Sequence, residues 1–319
     1  MKKLKVRRNL LIANSLLFFL SLSPKNNLFA QEGSPLEGRW DMTLHSANGG
    51  KEFPSWLEVS HSGTHTLVGQ YVGAGGSARP ISKVNFKDNK MSFTIPPQWD
   101  RGDGDFTFEA TFQGDSLSGS GVSSDGKNFT WTAHRAPKLK RTKEPVWGEP
   151  IQLFNGKDLT GWHAMGTNQW IAEDGILRSP HSGANLVTDQ TFNDFKLHIE
   201  FRYPKESNSG VYLRGRYEVQ IEDSKGKEAT KDYLGAVYGF IAPTEQMAKD
   251  PGEWQSYDIT LTGRMVTVVA NGVTVICNRE IPGITGGAIN SKEEDPGPLL
   301  IQGDHGPVDY RNIIITPAK

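Results

Sequence analysis

Apolar and polar residues alternate through most of this chain in short runs, and helical spacing is scarce. In the first half the alternation returns about every ten residues. Segments 40–44, 55–59, 66–71, 83–86, 90–95, 106–112, 116–121 and 128–133 each read as a strand. Turn residues separate several of them, at Asp88-Asn89, Gly114-Asp115 and Asp125-Gly126. Strands so closely spaced predict a small β domain over 36–136, an up-and-down meander or barrel.

The pattern changes after residue 136. Segment 137–149 is charged, flanked by Pro137 and Pro145 and without periodicity, so it reads as a linker. From 150 to 319 longer alternating runs resume. In 196–203, Leu197, Ile199, Phe201 and Tyr203 face one way and Lys196, His198, Glu200 and Arg202 the other. Tyr257, Ile259 and Leu261 repeat that pattern. Segment 170–177 is a hairpin about Asp174-Gly175, and 265–270 and 273–277 flank Asn271-Gly272, a type I′ turn signal. Strands at 299–302 and 312–315 close the unit. Two antiparallel sheets packed as a jelly-roll sandwich are expected, making the whole chain all-β.

One hairpin carries unusual polar content. Its apolar residues are Val211 and Leu213 on the first strand and Val219 and Ile221 on the second. A two-residue loop would put Arg214 on the face of Val219 and Ile221. A one-residue change in loop length swaps the faces. A three-residue loop at Gly215-Arg216-Tyr217 keeps both strands consistent, pairing Arg214 with Glu218, Tyr212 with Gln220 and Leu213 with Val219. Tyr212, Arg214, Glu218 and Gln220 are then expected on one face. A fork donor, a carboxylate, an amide and a phenol together suit a polyol; the bland alternative is a solvated face with an Arg–Glu pair worth about 0.2–1 kcal/mol. A second polar cluster, Gln302-Gly303-Asp304-His305-Gly306, interrupts a strand near the end.

Composition narrows the partners. The chain has 319 residues and a formal net charge of −1, which implies two domains and leaves no basic field for nucleic acid. Basic residues Lys2 to Arg8, an apolar stretch over 10–22 and Ala30 as a small residue before cleavage predict a signal peptide over 1–30. The protein is therefore expected to be exported, to a bacterial periplasm, the cell surface or the medium, without stable membrane insertion. Cys277 stands alone, so no internal disulfide forms, and its apolar strand predicts a buried small hydrophobe. His45, His61, His65 and His134 are too scattered for a zinc site. Trp40, Trp56, Trp131, Trp162 and Trp170 read as core; Trp99, beside Pro96-Pro97, is a candidate stacking platform for a sugar.

The second unit resembles the 3-keto-disaccharide hydrolase family, formerly a domain of unknown function. The matching pieces run from Phe154-Asn155-Gly156-Lys157-Asp158-Leu159 and Gly161-Trp162 through Asn208-Ser209-Gly210-Val211-Tyr212-Leu213-Arg214-Gly215 and Tyr217-Glu218-Val219-Gln220-Ile221. They continue with Gly235-Ala236-Val237-Tyr238-Gly239, Gly252-Glu253-Trp254, Asn271-Gly272 and Gln302-Gly303-Asp304-His305-Gly306. The family usually runs Gln-Asp-His-Gly at that last cluster; here Gly303 stands between Gln302 and Asp304. The resemblance implies a concanavalin A-like jelly roll and hydrolysis of glycosides oxidised to a ketone at C3. Such a ketone acidifies the C2 hydrogen, so a base, an enolate stabiliser and an acid for the leaving oxygen are needed. Arg214 would stabilise the enolate or grip hydroxyls. Glu218 or His305 would be the base and the other the acid. Tyr212, Gln220, Asp223, Tyr238 and Gln302 would hold the sugar. The residues fix no cofactor: a divalent metal held by His305 and carboxylates would serve the enolate as well as Arg214. The alternatives are a non-catalytic, lectin-like carbohydrate-binding protein, or a conventional glucanase using the same-face pair Glu218 and Glu222.

Overall fold

The computed structural model describes residues 33–46 and 50–319; the expected export signal over 1–30 lies outside them. Residues Pro35–Lys319 form one compact unit, and no helix occurs among the described residues.

The first eight strands are β1 (Gly38–Ser46), β2 (Glu52–Ser62), β3 (Thr66–Val72) and β4 (Arg79–Lys87), then β5 (Lys90–Ile95), β6 (Phe106–Gln113), β7 (Ser116–Val122) and β8 (Asn128–Arg135). Each pairs with the next, and β8 returns to β1, closing a barrel with no free edge. Asp88 and Asn89 both take positive φ, as the β4–β5 turn requires. Alternation sends Trp40, Met42, Leu57, Phe93, Phe108 and Trp131 inward, where Phe93 stacks on Phe108 at 4.4 Å between centroids. Interior space is tight: a Cβ on Gly119 would stand 1.9 Å from the Glu109 carbonyl oxygen.

The remaining strands are β9 (Ile151–Gln152), β10 (Trp162–Ala164), β11 (Ile171–Glu173), β12 (Ile176–Ser179), β13 (Leu186–Phe192) and β14 (Phe195–Arg202). They continue as β15 (Asn208–Leu213), β16 (Tyr217–Glu222), β17 (Gln255–Thr262), β18 (Met265–Ala270), β19 (Val273–Glu280), β20 (Gly297–Ile301) and β21 (Val308–Pro317). One sheet runs β10-β13-β20-β15-β16; the other runs β11-β12-β21-β14-β17-β18-β19, with β9 beside β21. Both are antiparallel, and the facing residues Leu197, Ile199, Phe201, Val211, Leu213, Val219, Tyr257 and Ile301 fill the space between them. This is the expected jelly-roll sandwich.

Cys277 departs from expectation: it is exposed. The β18–β19 ladder slips between Val266 and Val268 and again before Val269. Val275 and Ile276 are consequently buried in succession and the next side chain turns outward.

The barrel is not a free appendage. Trp56 and Val72 of the barrel and Ala78 of the loop after β3 are buried in the sandwich core. The Trp56 ring meets Phe240 edge-on at 5.2 Å and covers Gly283, where a Cβ would stand 2.1 Å from the indole nitrogen. Segment 137–149 is strapped down as well: Arg141 grips Asp194 with two bonds, of 2.6 and 2.9 Å.

Candidate active site

Leu213 pairs with Tyr217, so the β15–β16 loop is Arg214-Gly215-Arg216, three residues long but centred one residue earlier than expected. The parity of the expected hairpin is found; its partners are not. Tyr212 opposes Glu218, and Gly210 opposes Gln220. Tyr212, Glu218 and Gln220 share the face of the five-stranded sheet that points away from the sandwich interior.

Arg214 does not join them. It enters the turn at φ 54° and is fully buried. Its guanidinium donates to the Tyr217 hydroxyl at 2.8 Å, the Glu293 carbonyl at 3.1 Å and the Gly263 carbonyl at 3.3 Å. Tyr217 neighbours Glu218 along the strand and so lies on the opposite face. The reason is a buried polar cluster that local pattern does not reveal. Arg264 clasps Glu293, which also accepts from the Tyr217 hydroxyl at 2.7 Å. Burial raises the Glu293 carboxyl, but Arg264's hydrogen bonds and charge outweigh it and hold the pKa below the usual value. Asp41 of the barrel completes the cluster; burial, then the Glu293 charge, push it up to about 9, so it stays protonated.

Glu218 is the central group of the outer face. Its side chain lies over Gly210, where a Cβ would stand 2.3 Å from Oε1. That explains why a glycine is placed there: any side chain would displace the carboxyl. The residue is 3% exposed. Burial pushes the carboxyl up to about 8; the Tyr212 hydrogen bond and the His305 charge oppose that shift, and the Asp304 charge adds to it. The Tyr212 hydroxyl lies 2.9 Å from both Glu218 Oε2 and the Gly286 carbonyl oxygen. A phenol has one proton for these two acceptors. The Tyr212 O–H donates to Glu218 Oε2, with the Gly286 carbonyl oxygen as its second acceptor. Burial, the largest cause, outweighs that bond and favours a neutral carboxyl near pH 7.

The Asp304-His305 pair lies on the exposed loop after β20. Their side chains meet at 2.7 Å between His305 Nδ1 and Asp304 Oδ1. That hydrogen bond raises the imidazole pKa; burial opposes it, and the charges of Asp304 and Glu218 add to the rise. With Nδ1 occupied by the carboxylate, Nε2 is left for other work. Gly303, the residue that departs from the family pattern, is packed tightly: a Cβ would stand 2.4 Å from the Ala184 carbonyl oxygen. Its N–H donates to Asn185 Oδ1 at 2.8 Å, which anchors the loop.

Around this pair the other expected residues divide. Gln302 is buried; its N–H donates to the Gly210 carbonyl at 2.9 Å, and its side-chain Oε1 finds no partner among the described residues. An unpaired buried acceptor is costly and fits a ligand hydroxyl. Gln220 Oε1 accepts from the Ile221 N–H at 3.0 Å. Tyr238 is half-buried, its N–H donating to the Glu218 carbonyl at 3.1 Å. Burial and the Glu218 charge push its phenol up to about 12, and the nearby Trp99 indole works against that rise. Asp223 stands just past the end of β16, where its Oδ2 accepts from the Glu206 N–H at 2.9 Å.

Asp304, which orients His305, was not expected as a site residue, although its adjacency in the chain was the signal. Trp99, expected as a sugar platform, stands near Tyr238, a neighbour that the sequence did not point to. Among the described residues no three His, Cys, Asp or Glu side chains converge as metal ligands would. A cleft of about 1100 Å³ lies along segment 137–145, lined by Arg39, Lys138, Arg141 and Arg264 rather than by these groups.

Residues 149–316 match the model of the 3-keto-alpha-glucoside-1,2-lyase-like domain family. A 3-keto-disaccharide hydrolase of Bacteroides thetaiotaomicron is 30% identical over 34% of this chain and 51% of its own length, so the match spans about half of that relative. Two solved structures from Parabacteroides distasonis, each called a glycosyl hydrolase, are also similar. The first is 30% identical with a TM-score of 0.46, covering 57% of this chain and 96% of its own. The second is 19% identical with a TM-score of 0.46, covering 53% and 94%.

Proposed function

This chain belongs to the family of 3-keto-alpha-glucoside-1,2-lyase-like domains, and on that premise we propose that it is an exported enzyme that hydrolyses 3-keto-glycosides by elimination and hydration. The observation that carries the reading is Glu218. A carboxyl kept neutral by burial, within the field of an Asp-supported histidine, supplies an acid beside a base.

The chemistry proceeds as follows. His305 Nε2 takes the C2 proton, and the electrons form the enolate with the C3 oxygen. The enolate collapses to restore C3=O and form C1=C2, breaking the bond from C1 to the glycosidic oxygen. Glu218 gives its proton to that oxygen as it leaves. Water then adds across C1=C2: hydroxide joins C1, its proton returns to Glu218, and imidazolium returns a proton to C2. Tyr238 takes the place first expected of Arg214. Burial and the Glu218 charge raise its phenol to about 12, so it keeps its proton at neutral pH and has an O–H to stabilise the enolate oxygen. Gln302 Oε1 accepts a sugar hydroxyl. A direct glucanase reaction is less well supported. Glu218 and Glu222 are four residues apart on one strand, which puts their backbones about 13 Å apart, against roughly 5–9.5 Å between the carboxyls of such enzymes.

The test is mass-spectrometric turnover of a 3-keto-glucoside beside the unoxidised glucoside, in H2O and in D2O. Only the oxidised substrate should turn over, and the product should carry solvent deuterium at C2, because the exposed imidazolium exchanges its proton with solvent before it returns one. Glu218→Gln and His305→Ala should each lose roughly 10²–10⁴ in kcat, the scale of general acid–base catalysis. The wild-type kcat/KM should be bell-shaped. It should rise as His305 loses its proton, above the ordinary imidazole value, and fall as Glu218 ionises near pH 8. Wild-type rates in both variants, or cleavage of the unoxidised glucoside without C2 exchange, would overturn the reading.

A further inference from the structure

The loop that carries Trp99 belongs to the barrel, yet it ends at the site. Trp99 is 78% exposed, whereas Trp40, Trp56 and Trp131 of the same barrel are buried. Its indole is thus the one barrel tryptophan side chain that the packing leaves open to a ligand, and its position beside the site is what gives that exposure meaning. Its place is defined from both sides. Gly76 lies beneath the ring, where a Cβ would stand 3.1 Å from Trp99 Cδ1. Gln98 ties the two barrel loops together: its Oε1 accepts from the Ser77 N–H at 3.1 Å and its Nε2 donates to Ser77 Oγ at 2.8 Å. Arg79 donates to the Pro96 carbonyl at 2.7 Å and to Asp100 at 3.3 Å. The ring is therefore presented by a braced loop.

The loop over 73–78 is wedged between the two segments that flank Glu218 and Tyr212. On one side Gly287 N–H donates to the Ala74 carbonyl at 2.9 Å, and a Cβ on Gly286 would stand 2.4 Å from the Gly76 carbonyl oxygen. Gly286 is the residue whose carbonyl faces the Tyr212 hydroxyl. On the other side a Cβ on Gly239, next to Tyr238, would stand 2.8 Å from Ser77. From there the Trp99 indole reaches the Tyr238 phenol, and Tyr238 feels the charge of Glu218.

We propose that the barrel forms one wall of the sugar site and that Trp99 stacks against the second ring of an oxidised disaccharide, the pyranose that leaves. This rests on the proposed function for the identity of the first ring. The reacting ring must reach the buried Glu218, so the ring it is joined to extends outward to the rim where Trp99 stands. A pyranose presents a C–H face that suits an indole, and the polar groups at its edge stay in water. The barrel would thus confer preference for sugar leaving groups over small ones.

The test compares kcat/KM for a 3-keto-disaccharide and a methyl 3-keto-glucoside in wild type, Trp99→Ala and Trp99→Phe. The ratio of the two should fall roughly tenfold in Trp99→Ala, the scale of an aromatic contact. It should persist in Trp99→Phe, which keeps a ring but lacks the N–H to Tyr238. An unchanged ratio in Trp99→Ala would overturn the proposal. So would equal losses in both variants, because Trp99 would then act through Tyr238 alone. Calorimetric binding of the unoxidised disaccharide is read in parallel. If wild type turns over neither oxidised substrate, the functional reading fails. The stacking then stands on weaker binding by Trp99→Ala than by wild type, and falls if the two bind equally.

Discussion

The two halves of this molecule use one periodicity to opposite ends. In the barrel each strand pairs with its sequence neighbour, and polar positions along the strands face water. In the sandwich, β20 sits between β13 and β15, although 83 residues separate Leu213 at the end of β15 from Gly297 at the start of β20. There the face of β15 and β16 that carries Tyr212, Glu218 and Gln220 is covered, so all three are buried. The same alternation that makes a solvated surface in one half makes an enclosed polar site in the other. The difference lies in what lies over the face: in the sandwich, the segments around Tyr238 and Gly286, backed by the barrel loop. Burial then changes the chemistry, since a solvated Glu218 would ionise well below neutral pH.

The comparison can be broken most severely at the seam. Trp56 is a barrel residue that fills the sandwich core, so Trp56→Ala should cost about 3–5 kcal/mol by urea unfolding. Barrel and sandwich should then melt in two steps where the wild type melts in one. A single transition at wild-type midpoint would mean that the halves are stable independently. A smaller and more local effect is expected at Gly210. Gly210→Ala must push the Glu218 carboxyl off its seat, and the cost should appear in activity: kcat/KM for the oxidised glycoside should fall at least about tenfold, or 1.4 kcal/mol. Unchanged turnover would show that the position of the carboxyl over the strand does not matter.

The gentlest test reads burial itself. A carboxyl whose folded pKa is raised contributes stability that is full below its unfolded value, near 4.5, and is lost as pH rises through its folded value, near 8. Glu218→Gln removes that loss. Its Tm relative to wild type should therefore rise between pH 5 and pH 9, by roughly 2–4 °C for each 1 kcal/mol. A difference that is flat with pH would place Glu218 in contact with water.

How much of this was legible depended on how local each cause was. Turn residues with positive φ, such as Asp174, Gly175, Asn271 and Gly272, marked hairpins where they occur. The parity of β15 and β16 placed Tyr212, Glu218 and Gln220 together, because side chains alternate whatever the loop's centre. Arg214 was misplaced because its partners Gly263 and Glu293 lie 49 and 79 residues away, and Asp41, which completes that cluster, comes from the barrel. Cys277 was misplaced because a bulge, which obeys no period, intervened. Trp99 was noted as a platform, but nothing in its neighbourhood pointed to Tyr238.

The amino-acid order by itself determined the strands, their inward and outward faces and the family to which residues 149–316 belong, since each rests on period, turn chemistry or short motifs. Only the tertiary structure decided which polar face would be enclosed, which arginine would be structural and which tryptophan would stand at the site. Those outcomes depend on contacts between distant segments, and desolvation is a property of what surrounds a residue rather than of its neighbours in the chain.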